Sequence, residues 1–210
     1  MSVASHTGDM DEAIATLRTD PDLGPLVERH GRLSIDPADD FFARFVVSIL
    51  RQQVSMASAA ATRERLFEAV DVTPEGILAA DDDTLRDAGL SGQKTRYVNN
   101  VAATFREHGY DTDYFAGVPD EDVIEELTSI TGVGTWTAKM QLLFTLGRPD
   151  VFPVEDLGIR KGMRTLYGDI DRPAMVDAAE KWQPYRSYAS LYLWRAEDGV
   201  AESVDEVGEG

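Results

Sequence analysis

An all-α fold is predicted by three features of the 210-residue sequence. Apolar residues recur at three- and four-residue spacing, as in Phe42, Phe45, Val46, Ile49 and Leu50, or Val123, Ile124, Leu127 and Ile130. The strict alternation of a half-buried strand is almost absent. Helix-start and helix-stop residues punctuate the periodic stretches.

The pattern predicts helices over residues 9–18, 22–29, 37–50, 55–70, 74–80, 83–88, 91–108, 111–115, 120–128, 135–146, 156–167, 173–182 and 184–196. Asp36 before Pro37 reads as the cap and first residue of the third helix. Thr73-Pro74-Glu75 opens 74–80 in the same way, and Asp171-Arg172-Pro173 opens 173–182. Gly89, Gly109, Gly147 and Gly168 stand where helices 83–88, 91–108, 135–146 and 156–167 should stop. The expected architecture is two helical lobes around a cleft. Residues 1–36 form a helical segment packing on the core, 37–196 the main region, and 197–210 an acidic tail. No solenoid-type repeat is present.

The composition restricts the chemistry. With no Cys and three His, thiolate catalysis, disulfides and Cys-ligated iron–sulfur clusters are excluded, and ordinary zinc sites are disfavoured. Carboxylates, hydroxyls, Lys and aromatics remain. No apolar run approaches the roughly 20 residues that span a bilayer, and the N-terminus does not read as a signal peptide, so a soluble, intracellular, cytoplasmic protein is expected, with no membrane partner.

A net charge of −18, from 38 acids and 20 bases, argues at first against nucleic acid. The abundant, dispersed acids resemble those of proteins from extreme halophiles, and at about 1 M salt the Debye length shrinks to about 3 Å. Global repulsion of phosphate is then screened almost to contact. Distribution matters more: 29 acids lie in residues 1–40, 68–87, 108–126 and 197–210. Residues 88–106 hold Lys94, Arg96 and Arg106 with no acid, while 159–195 hold seven bases against four acids. These stretches form a locally basic face if the fold gathers them, and otherwise are merely the less acidic faces of helices.

The densest signal is LTSITGVGTWTAKMQLLF, residues 127–144. One helix ends near Ser129, the turn Thr131-Gly132-Val133-Gly134 follows, and a second helix starts near Thr135. Two glycines let the backbone turn tightly and approach another surface. Amides of Gly132, Val133, Gly134 and Thr135 at a helix N-terminus favour a phosphate. By itself this is also a plain αα-turn.

The flanking residues resemble the helix-hairpin-helix DNA glycosylase superfamily, whose hairpin ends in Thr-Ala and is followed one helix later by an Asp. Gly132-Val133-Gly134-Thr135-Trp136-Thr137-Ala138 matches, with Thr131 where Pro is usual, and Asp156 follows at the expected distance. The likeness covers roughly residues 37–196 and is nearest to the alkylation-repair branch, DNA-3-methyladenine glycosylase II. FVVSILRQQVS (residues 45–55), LSGQKTRYVNNV (90–101), DVFPVEDLGIR (150–160) and WQPYRSYASLYLW (182–194) carry it. The bacterial form's N-terminal β-rich domain has no counterpart in the first 36 residues.

The resemblance implies an enzyme that flips a damaged nucleotide from duplex DNA and cuts its N-glycosidic bond, working as a monomer. Asp156 is then the carboxylate that opposes positive charge on the sugar; read from its position, it is also an N-cap, and one Asp can serve both. Glu155 matches the non-catalytic member of an acidic pair. Gln53 is the wedge that fills the flipped base's place, or else a helix-terminal amide; Gln52 beside it shares that role or is instead structural. Trp136 and Trp194 wall a base pocket that attracts cationic purines, although by composition they read as core. Met140 stands where the family often has Tyr.

Lys139 is a phosphate contact or a solvated residue. Trp136 occupies the position where bifunctional relatives carry a nucleophilic Lys, so a lyase is disfavoured. No cofactor is implied beyond a sodium or potassium ion held by the backbone carbonyls of Thr128, Ile130 and Val133. The rival readings are an 8-oxoguanine-type glycosylase and a non-catalytic binder of damaged DNA.

Overall fold

The structure is a computed structural model that describes residues 3–35 and 37–196. Among these residues all regular structure is helical. In chain order the helices are α1 (Val3–Thr19), α2 (Gly24–His30), α3 (Phe41–Arg51), α4 (Met56–Ala69), α5 (Pro74–Ala79), α6 (Asp82–Asp87), α7 (Gly92–His108), α8 (Asp120–Thr128), α9 (Thr135–Phe144), α10 (Leu157–Tyr167), α11 (Arg172–Ala179) and α12 (Arg186–Trp194), with a 3₁₀ turn at Glu180–Trp182. The chain divides into two units: residues 38–146, and residues 1–37 with 147–210. The N-terminal segment therefore groups with the C-terminal helices. The acidic tail expected at 197–210 lies outside the described residues.

Side-chain caps set most helix starts. Asp40, Ser55, Thr73, Asp81, Ser91, Asp156 and Asp171 each accept an amide hydrogen bond from the first turn that follows. The cap expected at Asp36 lies outside the described residues, and α3 instead starts after Asp40, whose Oδ1 accepts from Ala43 N–H at 2.9 Å. The amide of Ala38 is already bonded to the Phe144 carbonyl at 3.0 Å, which keeps residues before Asp40 out of the helix.

The helix expected at 111–115 is a turn. Asp111 Oδ1 accepts from Tyr114 N–H at 2.7 Å, and Tyr110 and Tyr114 both donate to Glu126 Oε1, at 2.7 and 2.9 Å. A five-residue segment cannot repay helix nucleation when an Asx turn and α8 offer these alternatives.

In the 38–146 unit, Phe105 of α7 receives the rings of Phe41, Phe42 and Phe45 of α3 at 5.1, 5.3 and 5.3 Å, all edge-on. A buried polar seam then sets α3 against α9. Gln141 Nε2 donates to Ser48 Oγ at 2.8 Å, and Thr145 Oγ1 donates to Gln141 Oε1 at 2.9 Å. A shift of register would strand these groups, so the seam specifies one alignment.

In the other unit, α10 and α12 approach closely because Gly158 and Gly162 lie one turn apart. A Cβ at Gly162 would sit 2.3 Å from the Leu193 carbonyl oxygen. Tyr192 Oη donates to the Gly31 carbonyl at 2.9 Å, tying α12 to the end of α2. Lys181 bridges Asp20, at 3.1 Å, and Asp22, to which Tyr167 Oη also donates at 2.6 Å.

Gly162→Ala should lose about 1–3 kcal/mol in denaturant melts, since the added methyl must push α12 away; an unchanged midpoint would refute the close approach. The hydrogen bond from Lys181, then that from Tyr167, hold the Asp22 carboxyl below its ordinary value. Stability from that depression is present above about pH 4 and lost as pH falls through the lower folded-state value. Thermal melts of Asp22→Asn should therefore show a shallower acid loss below pH 4 than the parent protein; parallel curves would contradict this.

Candidate active site

The hairpin lies in the 38–146 unit, between the ends of α8 and α9. Gly132 has φ +104°, and a Cβ there would fall 2.2 Å from Cγ of Tyr97, so the Tyr97 ring and the turn can pack only over a glycine. Gly134 differs. Its backbone is extended, nothing lies within 4 Å of where its Cβ would be, and α9 starts there without a side-chain cap. The start of α9 at Gly134 and Thr135 is thus exposed. Val133 is buried and pins the turn, while Asn100 Nδ2 donates to the Thr131 carbonyl at 3.1 Å. Thr135 is exposed and Lys139 half-buried.

The turn after α3 abuts this hairpin. Gln52 Nε2 donates to the Gly132 carbonyl and to Thr137 Oγ1, both at 3.1 Å. Lys94 Nζ donates to the Leu50 carbonyl, and its ammonium is held below its ordinary value by burial. Ser55 caps α4 on the far side. Between these ties Gln53 is exposed with φ +58°, the one non-glycine residue at positive φ among the described residues. Val54 beside it is 43% exposed.

The two glutamines therefore part company. Gln52, for which a structural role stood beside that of a wedge, spends its amide on the hairpin and acts as an anchor; Gln53 is the residue presented outward. The Thr-Ala pair also gains a reason: Thr137 receives Gln52, and Ala138 is fully buried. Trp136 is half-buried at the start of α9, and Met140, one turn later, is buried.

Asp156 lies in the other unit as the N-cap of α10. Its Oδ1 accepts from Ile159 N–H at 3.0 Å and from the Trp194 indole Nε1–H at 2.8 Å. Trp194 is buried, and a Cβ at Gly158 would lie 2.7 Å from its Cδ1, so the indole reaches the carboxylate only across a glycine. The chain leading to Asp156 is held as well. Arg186 pairs with Asp150 through two bonds of 2.8 and 2.9 Å, and Ser187 donates to the Arg148 carbonyl while accepting from Val151 N–H. Arg160 Nη1 donates to the Val154 and Glu155 carbonyls.

The structure thus joins Asp156 to Trp194 in one unit, and Trp136, Met140, Gln52, Gln53 and the hairpin in the other. Leu157 escaped sequence reasoning: it directly follows Asp156 and is 58% exposed, the most exposed of the large apolar side chains among the described residues. Its signal was an apolar residue out of phase with Ile159 and Met163. Tyr97 and Lys94 were also missed as supports, because their partners are backbone groups distant in sequence.

An all-helical chain with a two-glycine hairpin and a capped aspartate defines the class of helix-hairpin-helix repair proteins. This chain belongs to the HhH-GPD superfamily of base excision DNA repair proteins, whose family pattern spans residues 46–184. It is 35% identical over 127 residues to DNA-3-methyladenine glycosylase 1 of Schizosaccharomyces pombe, covering 59% of this chain and 56% of the relative. The chain thus spans little more than half of that curated relative. Among solved structures it is similar to a DNA-3-methyladenine glycosidase from Bacillus halodurans, with 33% identity, TM-score 0.78 and coverage of 90% of this chain and 91% of that one. It is also similar to the S. pombe 3-methyladenine DNA glycosylase in complex with abasic DNA, with 28% identity, TM-score 0.81 and coverage of 88% and 95%. No helix among the described residues is long and apolar enough to cross a membrane.

The anchoring of the turn is testable. Gln52→Ala should cost about 1–3 kcal/mol in denaturant melts by removing two buried-side hydrogen bonds. Gln53→Gly should be neutral or slightly stabilising, because it relieves a positive φ. The reverse ranking would refute the division of labour.

Proposed function

We propose that the protein is a monofunctional DNA glycosylase that removes alkylated purines such as 3-methyladenine from duplex DNA and leaves an abasic site. The observation that carries this reading is the Asp156 carboxylate, fixed at the start of α10 by one backbone and one indole N–H. The family, and the names of the similar glycosylases, support it.

In the proposed reaction the C1′–N bond breaks and its electron pair leaves with the base, neutralising the alkylated purine. Positive charge develops on the deoxyribose, and the oriented carboxylate opposes it without having to reorganise. Water then adds to C1′ and gives up a proton. The Trp136 indole offers its face to the cationic base, an attraction of about 0.5–2 kcal/mol. Gln53, on its clamped turn, fills the space the nucleotide vacates. The exposed start of α9 at Gly134 and Thr135 binds a backbone phosphate, with Lys139 alongside.

A sodium or potassium ion at the carbonyls of Thr128, Ile130 and Val133 belongs to the same reading. The Ile130 oxygen already accepts Val133 N–H at 3.0 Å and has a second lone pair to give. Trp136 in place of a Lys on the hairpin helix supports hydrolysis without strand cleavage. The acid-rich composition points to work in molar salt, and the same reading makes the protein a monomer inside the cell.

Asp156→Asn is the test. The amide oxygen can still accept both hydrogen bonds, so the cap and the fold survive, but the charge is gone. Release of 3-methyladenine from duplex DNA in molar KCl should fall at least about 100-fold, while affinity for an abasic duplex changes little. Undiminished release would remove Asp156 from the chemistry, and release of 8-oxoguanine alone by the parent protein would overturn the substrate class.

A further inference from the structure

We propose that the outward face of α10, formed by Leu157, Lys161 and Arg164, is a track for the DNA strand that carries the damaged nucleotide, with a sugar edge on Leu157 and phosphates on the two cations. The proposal rests on the DNA reading above and adds to it a binding surface in the unit that holds Asp156. The three residues stand at i, i+4 and i+7 and so share one side of the helix. Ile159, Gly162 and Met163 take the buried side. Lys161 and Arg164 are exposed, and Leu157 is more exposed than any other large apolar side chain among the described residues.

The charge of this face runs against that of the chain. The sequence carries a net −18, yet α10 holds Arg160, Lys161 and Arg164 and no acid. Arg160 is spent inward, on the Val154 and Glu155 carbonyls. Glu155 and Asp156 precede the helix, and Asp169 follows it, 3.6 Å from Arg164 Nε with its own side chain 98% exposed. An ion pair that open to water is worth little, so a phosphate can take the guanidinium from it. A solvated leucine at the head of the same stripe also gains by being covered.

Position selects the occupant. Leu157 is joined to Asp156, and in the proposed reaction that carboxylate stands at C1′ of the extruded nucleotide, so the strand continuing from this nucleotide leaves past the first turn of α10. Sugar and phosphate alternate along such a strand, which matches an apolar side chain followed by cations. The spacing agrees as well. Along the helix axis Lys161 lies about 6 Å and Arg164 about 10 Å from Leu157, the latter close to three nucleotides at a rise of about 3.4 Å. An acidic protein segment would suit the cations but has no reason to start beside the carboxylate.

Salt dependence reads these contacts. For a short duplex carrying one abasic site, the slope of log association constant against log KCl should shrink by about 0.9 in Lys161→Ala and in Arg164→Ala, and by nearly twice that in the double variant. Arg86→Ala removes the same charge from a helix crowded with Asp82, Asp83 and Asp87, and should leave the slope alone. Leu157→Ala should weaken the same duplex roughly 4- to 15-fold at one salt concentration without changing the slope. Because all of these side chains are exposed, thermal melts should stay close to those of the parent. An unchanged slope in the double variant, an equal loss in Arg86→Ala, or unweakened binding by Leu157→Ala would overturn the track and leave the glycosylase reading standing. A parent protein that binds no duplex would overturn both.

Discussion

The Trp194 indole N–H donated to Asp156 Oδ1 is the contact on which the site depends. It shares that oxygen with the Ile159 amide, so the carboxylate is held from the side by a second helix and from below by the helix it caps. Both requirements trace to small residues. Gly158 makes room for the indole, and Gly162, one turn on, lets the α12 backbone lie against α10. The same helix grips the other end of the segment through Arg186 and Ser187. From Arg186 to Trp194 is about 12 Å of helix, a rigid ruler laid along the chain that delivers Asp156. In the proposed reaction, an orienting network of this kind would remove the reorganisation a flexible carboxylate needs as charge develops beside it.

The 38–146 unit solves a different problem, that of presenting an outward residue on a turn that does not yield. Gln53 accepts a positive φ, a conformation that costs energy and persists only where neighbours over-determine it. Here Lys94 closes the end of α3 and Gln52 bolts the turn to the hairpin. The hairpin itself is braced by the Tyr97 ring over Gly132. One glycine is therefore spent inward, on packing, and the other outward, where α9 begins uncapped and space is open. The sequence shows two glycines of equal rank; only the packing around them separates their duties.

What was legible in the sequence was local. Three- and four-residue periodicity located the helices, and Ser, Thr and Asp caps marked most of their starts, because these are contacts between residues a few positions apart. The two-glycine turn was legible for the same reason, whereas Asp156 was singled out by the resemblance and, from its position alone, read as the N-cap that it is. The failures were competitions decided at longer range. Residues 111–115 have helical spacing, yet Glu126 draws Tyr110 and Tyr114 into a turn. For Gln52 the sequence left a structural role open beside that of a wedge, and the partner that makes it an anchor, Thr137, lies 85 positions away. Trp194 was legible as an aromatic near the site, but its hydrogen bond to a residue 38 positions earlier required knowing that two glycines would bring α10 and α12 together.

A double-mutant cycle between Trp194→Phe and Asp156→Asn, read by single-turnover base release, tests this account most directly. If the indole acts through the carboxylate, Trp194→Phe slows the parent protein roughly 10- to 150-fold, the worth of one hydrogen bond to a charged group, and adds almost nothing once Asp156 is Asn. Losses that multiply would show that Trp194 works on the base or the sugar independently, and would contradict the claim that its N–H sets the carboxylate.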